Sequence, residues 1–245
     1  MKNYKLKVQY EGSRYNGWQK QGNTANTIQG KFEDILLKLC GKPVEINGSG
    51  RTDAGVHAAG QVANFKADLS MTTDEITEYF NKYLPADIAV ISTEEADERF
   101  HARLSAKSKT YEYRIWKGKV PEVFGRRLRY CYKGELDAQL MQKGADLLVG
   151  AHDFKAFCTR TRIKKSTIRE LYSVNVAESE NEIVITLCGD GFLYNMVRII
   201  VGTLIEIGRG GRSAESITDV IQSGERSNAG YTAPPEGLTL LNVEY

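Results

Sequence analysis

Polar and apolar residues alternate through YKLKVQY at 4–10, which predicts a strand. The stretch TIQGKFEDILLKLCGKP then places Ile28, Phe32, Ile35, Leu36 and Leu39 at helical spacing, with Gly41 and Pro43 as stop signals. PVEINGSG predicts a short strand entering a glycine-rich loop, and GQVANF a strand leaving it. A helix carrying Ile76, Phe80 and Leu84 ends near Pro85, and IAVIS returns as a strand. Strand, helix, two strands, helix, strand is the split βαβ order of a ferredoxin-like unit. The order then recurs loosely. KTYEYRIW predicts a strand, and LDAQLMQKGADLLVG a helix capped by Asp137 and closed at Gly150. ELYSVNVAE and EIVITLCG form a hairpin around SENE, and FLYNMVRIIVGTLIEIG, apolar on most faces, predicts a buried helix. A short helix with Ile217, Val220 and Ile221 precedes a closing strand, LTLLNVEY. The expectation is an α+β protein of two halves, 1–105 and 106–245. The second half carries basic, turn-rich insertions near 117–135 and 152–168.

Composition narrows the class. At 41% hydrophobic and 26% charged residues the chain has the balance of a soluble globular protein. No run approaches the roughly eighteen apolar residues of a membrane span. The first ten residues lack the apolar core of a signal peptide, so a cytoplasmic location is expected. Cys40, Cys131, Cys158 and Cys188 form no CxxC pair, and with only His57, His101 and His152 neither a zinc site nor a disulfide framework is indicated.

A net charge of +2 conceals a segregation of sign. Asp68 to Glu98 holds nine acidic residues against Lys82 alone, whereas Arg99 to Lys133 holds eleven basic residues against Glu112 and Glu122. Lys155, Arg160, Arg162, Lys164, Lys165 and Arg169 form a second basic stretch. Cations interleaved with Tyr and Trp suit a polyanion, because the charges attract phosphates and the rings stack on bases. A merely solvated basic face is the alternative.

Four places could carry chemistry. In GSGRTDAG, glycines surround Asp53, and Arg51 stands two positions away. A neighbouring guanidinium keeps a carboxylate ionised, as a nucleophile requires, although an Asp that caps its own loop gives the same pattern. The block lacks the Gly-Lys-Ser/Thr ending of a P-loop and the spacing of GxGxxG. GRGGR at 208–212 reads as a helix cap followed by a turn. Tyr111 and Tyr113 share a strand face, where a ring can stack on a base or fill a half-buried sheet. His101 has no adjacent nucleophile in sequence and reads as a binding or structural residue. Arg198 lies in the apolar helix, one turn after Tyr194, and such an arginine requires an anionic partner.

Seven blocks, YEGSRYNGWQKQ, GSGRTDAGVHAAGQVANF, LPADIAV, FHARLSAKSKTYEY, AHDFKAF, NMVRIIVG and RSNAGYTAPPEGLTL, occur in the same order as in the tRNA pseudouridine synthase A family. The chain resembles that family over essentially its whole length. LYNMVRIIVG departs from the family's usual LHHMVRNIVG but keeps the arginine. The resemblance implies two ferredoxin-like halves with mainly antiparallel sheets around a central cleft, and a homodimer that cradles tRNA. The implied reaction is isomerisation of uridine to pseudouridine at positions 38, 39 and 40 of the anticodon stem-loop, without cofactor or metal. It further implies Asp53 as nucleophile, with Arg51 and Arg198 as catalytic partners. Tyr111 would stack on the target uracil, and His57, His101 and Arg103 would bind substrate. A non-catalytic RNA-binding relative and a nucleoside hydrolase remain the competing functions; binding alone needs neither Asp53 nor Tyr111, and a hydrolase would release free base.

Overall fold

The computed structural model describes residues 1–22, 24–159 and 166–245. Arg160, Arg162, Lys164 and Lys165 of the second basic stretch lie outside the described residues. The chain divides into two compact units, Met1–Lys107 with Thr239–Tyr245, and Ser108–Leu238. Among the described residues no helix is long and apolar enough to cross a membrane.

The first unit runs β1 (Lys2–Tyr10), α1 (Ile28–Cys40), β2 (Ile46–Gly48), β3 (His57–Ala67), α2 (Thr73–Tyr83) and β4 (Ile88–Ala96). β1 pairs antiparallel with both β3 and β4, and β2 pairs antiparallel with the far half of β3, Ile46 opposite Phe65. This is the sheet order that split βαβ connectivity predicts. Local signals fix the helices. Thr27 caps α1 by accepting from the Gly30 N–H, and Gly41 ends it at φ 68°, where its own N–H donates to the Leu37 carbonyl. Thr72 and Glu75 cap α2 reciprocally, and Leu84 falls just past its end. Tyr4, Leu6 and Val8 on alternate positions of β1 are fully buried. Behind them Phe32, Phe65 and Phe80 pack with ring centroids 5.4 and 5.9 Å apart about Phe80. β3 begins at His57, three residues earlier than the predicted strand, and its pairing with β1 slips between Val8–Gln61 and Tyr10–Ala58. Such a bulge twists a strand locally and re-aims its side chains.

The second unit contains β5 (Ser108–Trp116), β6 (Tyr130–Cys131), α3 (Ala138–Asp146), β7 (Gly150–Asp153), β8 (Ile168–Glu178), β9 (Glu182–Gly189), α4 (Met196–Gly208) and α5 (Ser216–Ser223). β9 pairs antiparallel with β5 and β8, β7 pairs antiparallel with β8, and β6 lies parallel to β5. The 178–182 hairpin is as predicted. Asp137 caps α3, accepting from the Gln139 and Leu140 N–H groups. The helix ends at Asp146, however, and Gly150, at φ 105°, opens β7 instead of closing the helix. α4 is nearly all buried, as its composition requires, but starts at Met196. Asn195 sits before it at φ 62°, a left-handed conformation that breaks the apolar run, so Tyr194 is exposed and outside the helix. Past α4, the Gly210 and Gly211 N–H groups close on the Ile207 and Glu206 carbonyls, which makes GRGGR the expected cap and turn. β10 (Leu238–Glu244) returns to the first unit from Thr239 onward and runs parallel to β3, Thr239 opposite His57.

Candidate active site

Asp53 sits at the centre of a tightly held loop, 49–56, between β2 and β3. Thr52 is buried, Asp53 half-buried and Arg51 exposed. The loop is fastened on one side by the sheet. Ser49 Oγ donates to Gln61 Oε1 at 2.6 Å, and Gln61 Nε2 donates to the Gly50 carbonyl at 3.0 Å. The Tyr10 hydroxyl lies 2.8 Å from Thr52 Oγ1 and 3.4 Å from Gln61 Nε2. Burial pushes the Tyr10 phenol up to about 12, so it stays protonated and shares a neutral hydrogen bond with the Thr52 hydroxyl.

On the other side residues 11–18 clamp the loop. The Trp18 N–H donates to the Thr52 carbonyl at 3.1 Å, and the Gly55 N–H to the Tyr15 carbonyl at 3.3 Å. Here glycine is obligatory. A Cβ on Gly12 would stand 2.0 Å from the Val56 carbonyl oxygen, and one on Gly17 2.5 Å from that of Thr52. The clamp is itself anchored at the start of β4, where the Tyr15 hydroxyl donates to Asp87 Oδ1 at 2.6 Å and Arg14 pairs with Oδ2 at 2.9 Å. Burial, followed by the Asp87 contact, raises the Tyr15 phenol to about 12.

His57 is only 1% exposed, and its Nδ1 accepts from the Gly12 N–H at 2.9 Å with Glu11 3.6 Å away. That placement is one of a brace between clamp and β3. His101 is half-buried and turned locally, its Nδ1 accepting from the Arg103 N–H at 3.1 Å while the Arg103 side chain is exposed. His101 lines an open groove of about 870 Å³ with Lys42, Asn64 and Arg99.

In the second unit Tyr111 and Tyr113 share the buried face of β5, as the alternation predicts. Their surroundings differ. Tyr113 is sealed, its hydroxyl donating to the Pro234 carbonyl at 2.8 Å, and burial drives its acidity far below that of an ordinary phenol. Tyr111 retains a little exposure and meets Phe192 edge-on, centroids 5.1 Å apart. Arg198 lies in the first turn of α4. Its Nε donates to the Ala233 carbonyl at 2.7 Å, its Nη1 approaches Asn195 Oδ1 at 3.4 Å, and the Ala233 N–H returns a bond to the Arg198 carbonyl. The strap 229–233 crosses α4 where a Cβ on Gly202 would lie 1.8 Å from the Tyr231 carbonyl oxygen.

Tyr10, Gln61, Phe192 and the strap were not among the predicted site residues. Tyr10 and Gln61 carry only an alternation signal, because their partners are 42 and 51 positions distant in the chain. Among the described residues no group of His, Cys, Asp and Glu side chains is gathered where a metal ion could be held.

A family model described as tRNA pseudouridine synthase matches residues 7–104 and 145–245. The chain is 46% identical to tRNA pseudouridine synthase A of Bacillus sp. (strain KSM-64), with 100% of each chain covered. It is 45% identical to tRNA pseudouridine synthase A 2 of Bacillus anthracis and 42% identical to tRNA pseudouridine synthase A of Acetivibrio thermocellus, again over 100% of each.

Proposed function

The chain belongs to the tRNA pseudouridine synthase family, and we propose that it converts uridine to pseudouridine at positions 38, 39 and 40 of the tRNA anticodon stem-loop, with Asp53 as nucleophile. The observation that carries the assignment to Asp53 is the double fastening of its loop. Tyr10 holds the neighbouring Thr52 hydroxyl and Trp18 the Thr52 carbonyl, while the aspartate side chain is left half-buried. An aspartate that merely capped a turn would not need such support from two separate segments. A reacting carboxylate does, since a misplacement of about 1 Å can cost about a hundredfold in rate.

The chemistry follows from the substrate. The bond from the ribose to uracil nitrogen breaks, the base turns, a bond forms to carbon 5, and the hydrogen of carbon 5 leaves as a proton. Asp53 serves either by attacking the anomeric carbon or by deprotonating the adjacent sugar carbon to give a glycal. Arg51 and Arg198 are assigned the task of keeping it ionised; a nearby cation typically lowers an Asp pKa by about one to three units. Tyr111 is assigned the uracil ring. Unstacking a base costs a few kcal/mol, and stacking on an aromatic ring returns about one to three of that. The contact with Phe192 supports this role, because a ring held from its edge keeps its orientation. Arg103, exposed beside His101, is suited to a phosphate. The enzyme is further proposed to act as a cytoplasmic homodimer and to need no metal.

Tritium release from tRNA labelled at carbon 5 of uracil tests the assignment. Wild type is expected to release label and form pseudouridine, and Asp53→Asn to release none while binding tRNA within about tenfold of wild type, because affinity comes from phosphate contacts. Release by Asp53→Asn at the wild-type rate would remove the nucleophile assignment. Protein stripped with EDTA and desalted is expected to retain full activity on folded tRNA; loss restored by a divalent cation would reinstate a metal.

A further inference from the structure

Between Trp116 and Tyr130 the chain leaves the sheet and returns beside it as β6, which lies parallel to β5. The excursion is braced throughout. Trp116 Nε1 donates to the Val120 carbonyl at 2.9 Å, Glu122 Oε1 accepts from the Gly125 N–H at 2.7 Å, and the Leu128 N–H closes on the Gly125 carbonyl at 2.8 Å. At its base Arg129 Nε donates to Glu182 Oε1 at 2.7 Å. What this framework displays is apolar: Phe124 is 101% exposed, Val120 73% and Val123 65%. Among the described residues none packs on the Phe124 ring. Placing a phenylalanine in water on a fixed turn has no folding rationale, so its use lies outside the chain.

The charge around it selects the occupant. Glu122 is the only acid of the excursion, and it is spent inward on Gly125 and, at 3.8 Å, Arg129. Lys119 and Arg126 are exposed, so the excursion presents a cation on each side of Phe124. A second copy that placed this tip on its two-fold axis would set those cations against themselves. An RNA loop has the complementary chemistry: phosphates for cations, and unstacked bases for an open ring.

We propose that the 118–128 tip is a second RNA contact, in which Phe124 stacks on an unpaired base of the tRNA other than the target uridine while Lys119 and Arg126 meet the adjoining phosphates. The proposal rests on tRNA being the substrate. The bracing gives it purpose: a backbone turn already fixed loses little freedom on binding, so more of the stacking appears as affinity.

Dissociation constants for an unmodified tRNA transcript, measured by fluorescence anisotropy over a series of salt concentrations, test it with wild type, Phe124→Ala and Phe124→Trp. Sedimentation of each protein is measured in parallel. Removing a base stack is expected to weaken binding at least about fivefold. The slope of log Kd against log salt should stay unchanged in Phe124→Ala, because no phosphate contact is lost. Phe124→Trp should bind within about twofold of wild type. KM should rise with kcat unaltered. Unchanged affinity in Phe124→Ala overturns the proposal. So does a weakening accompanied by a smaller sedimenting species, which would make the tip a protein contact. A wild type that binds tRNA yet forms no pseudouridine would remove the isomerase reading alone, with the Phe124 comparison still decisive.

Discussion

Thr52 separates Arg51 from Asp53, and its own side chain never needs to meet the substrate. Its hydroxyl is held by Tyr10 and its carbonyl by Trp18, so the chain is fixed one residue before Asp53. Tyr10→Phe keeps the buried ring and deletes the oxygen that Thr52 and Gln61 share. The two polar groups left behind cost about 1–3 kcal/mol of stability. If Tyr10 positions Asp53, kcat should also fall by about tenfold with KM for tRNA near wild type; a fall in melting temperature with kcat intact would leave Tyr10 a purely structural residue. Little of this was legible in the sequence. The glycines around Asp53 signalled a crowded backbone, and Gly12 and Gly17 show the crowding to come from the clamp, over thirty positions earlier. What the pattern could not supply was a reason to prefer a reaction to a turn. That preference came from the resemblance, since the fastening bonds join residues that no periodicity connects.

At the scale of elements, α4 and its strap form one device. The strap's Ala233 carbonyl receives Arg198, and its Tyr231 carbonyl lies over Gly202 where any side chain would collide. In an ordinary helix Gly→Ala stabilises by about 1 kcal/mol. Gly202→Ala is expected to do the opposite, lowering stability by about 1–3 kcal/mol through overpacking and moving the strap off Arg198. Thermal melting gives the sign, and an unchanged or raised midpoint would show that the strap yields freely. A second device joins β5 to β9. Glu182 takes a bidentate pair from Arg114, at 2.9 and 2.7 Å, and a third bond from Arg129. Arg114 above all, then Arg129, holds its carboxyl below the usual carboxylate range. A lowered folded-state pKa adds stability that is present above the unfolded value, about 4.3, and lost as pH falls through the folded one. Glu182→Gln should therefore melt below wild type at pH 7, with the gap closing as the solution is acidified past pH 4. Helix ends marked by a stop signal, Gly41 for α1 and Pro85 for α2, were readable to within a residue or two. The start of α4 was not, because FLYN continues the apolar run while the backbone at Asn195 turns left-handed. The end of α3 was misread because Gly150 serves a strand and not a cap.

Across the whole chain the net charge of +2 says little about RNA, and the raw count of basic residues says too much. Of the eleven cations from Arg99 to Lys133, Arg114 and Arg129 are committed to Glu182, and Lys117 to Glu178 at 2.8 Å. Arg99, Arg103, Lys107, Lys119, Arg126 and Lys133 are exposed. The acidic run is partly consumed as well, since Glu94 pairs with Lys5, Glu95 with Lys2 and Asp87 with Arg14. Sequence shows where charge of one sign accumulates; only the fold shows which of it has been spent internally. Two substitutions with the same change in formal charge should therefore differ on tRNA. Arg126→Ala removes an outward cation, and the slope of log K against log salt should shrink by about one unit. Lys117→Ala removes a cation already matched by a carboxylate and should leave the slope where it was, with a stability change of at most about 1 kcal/mol, as for surface ion pairs generally. Equal slopes for the two variants would mean that RNA senses the summed charge of the segment, and that internal pairing does not decide which arginines and lysines reach phosphate.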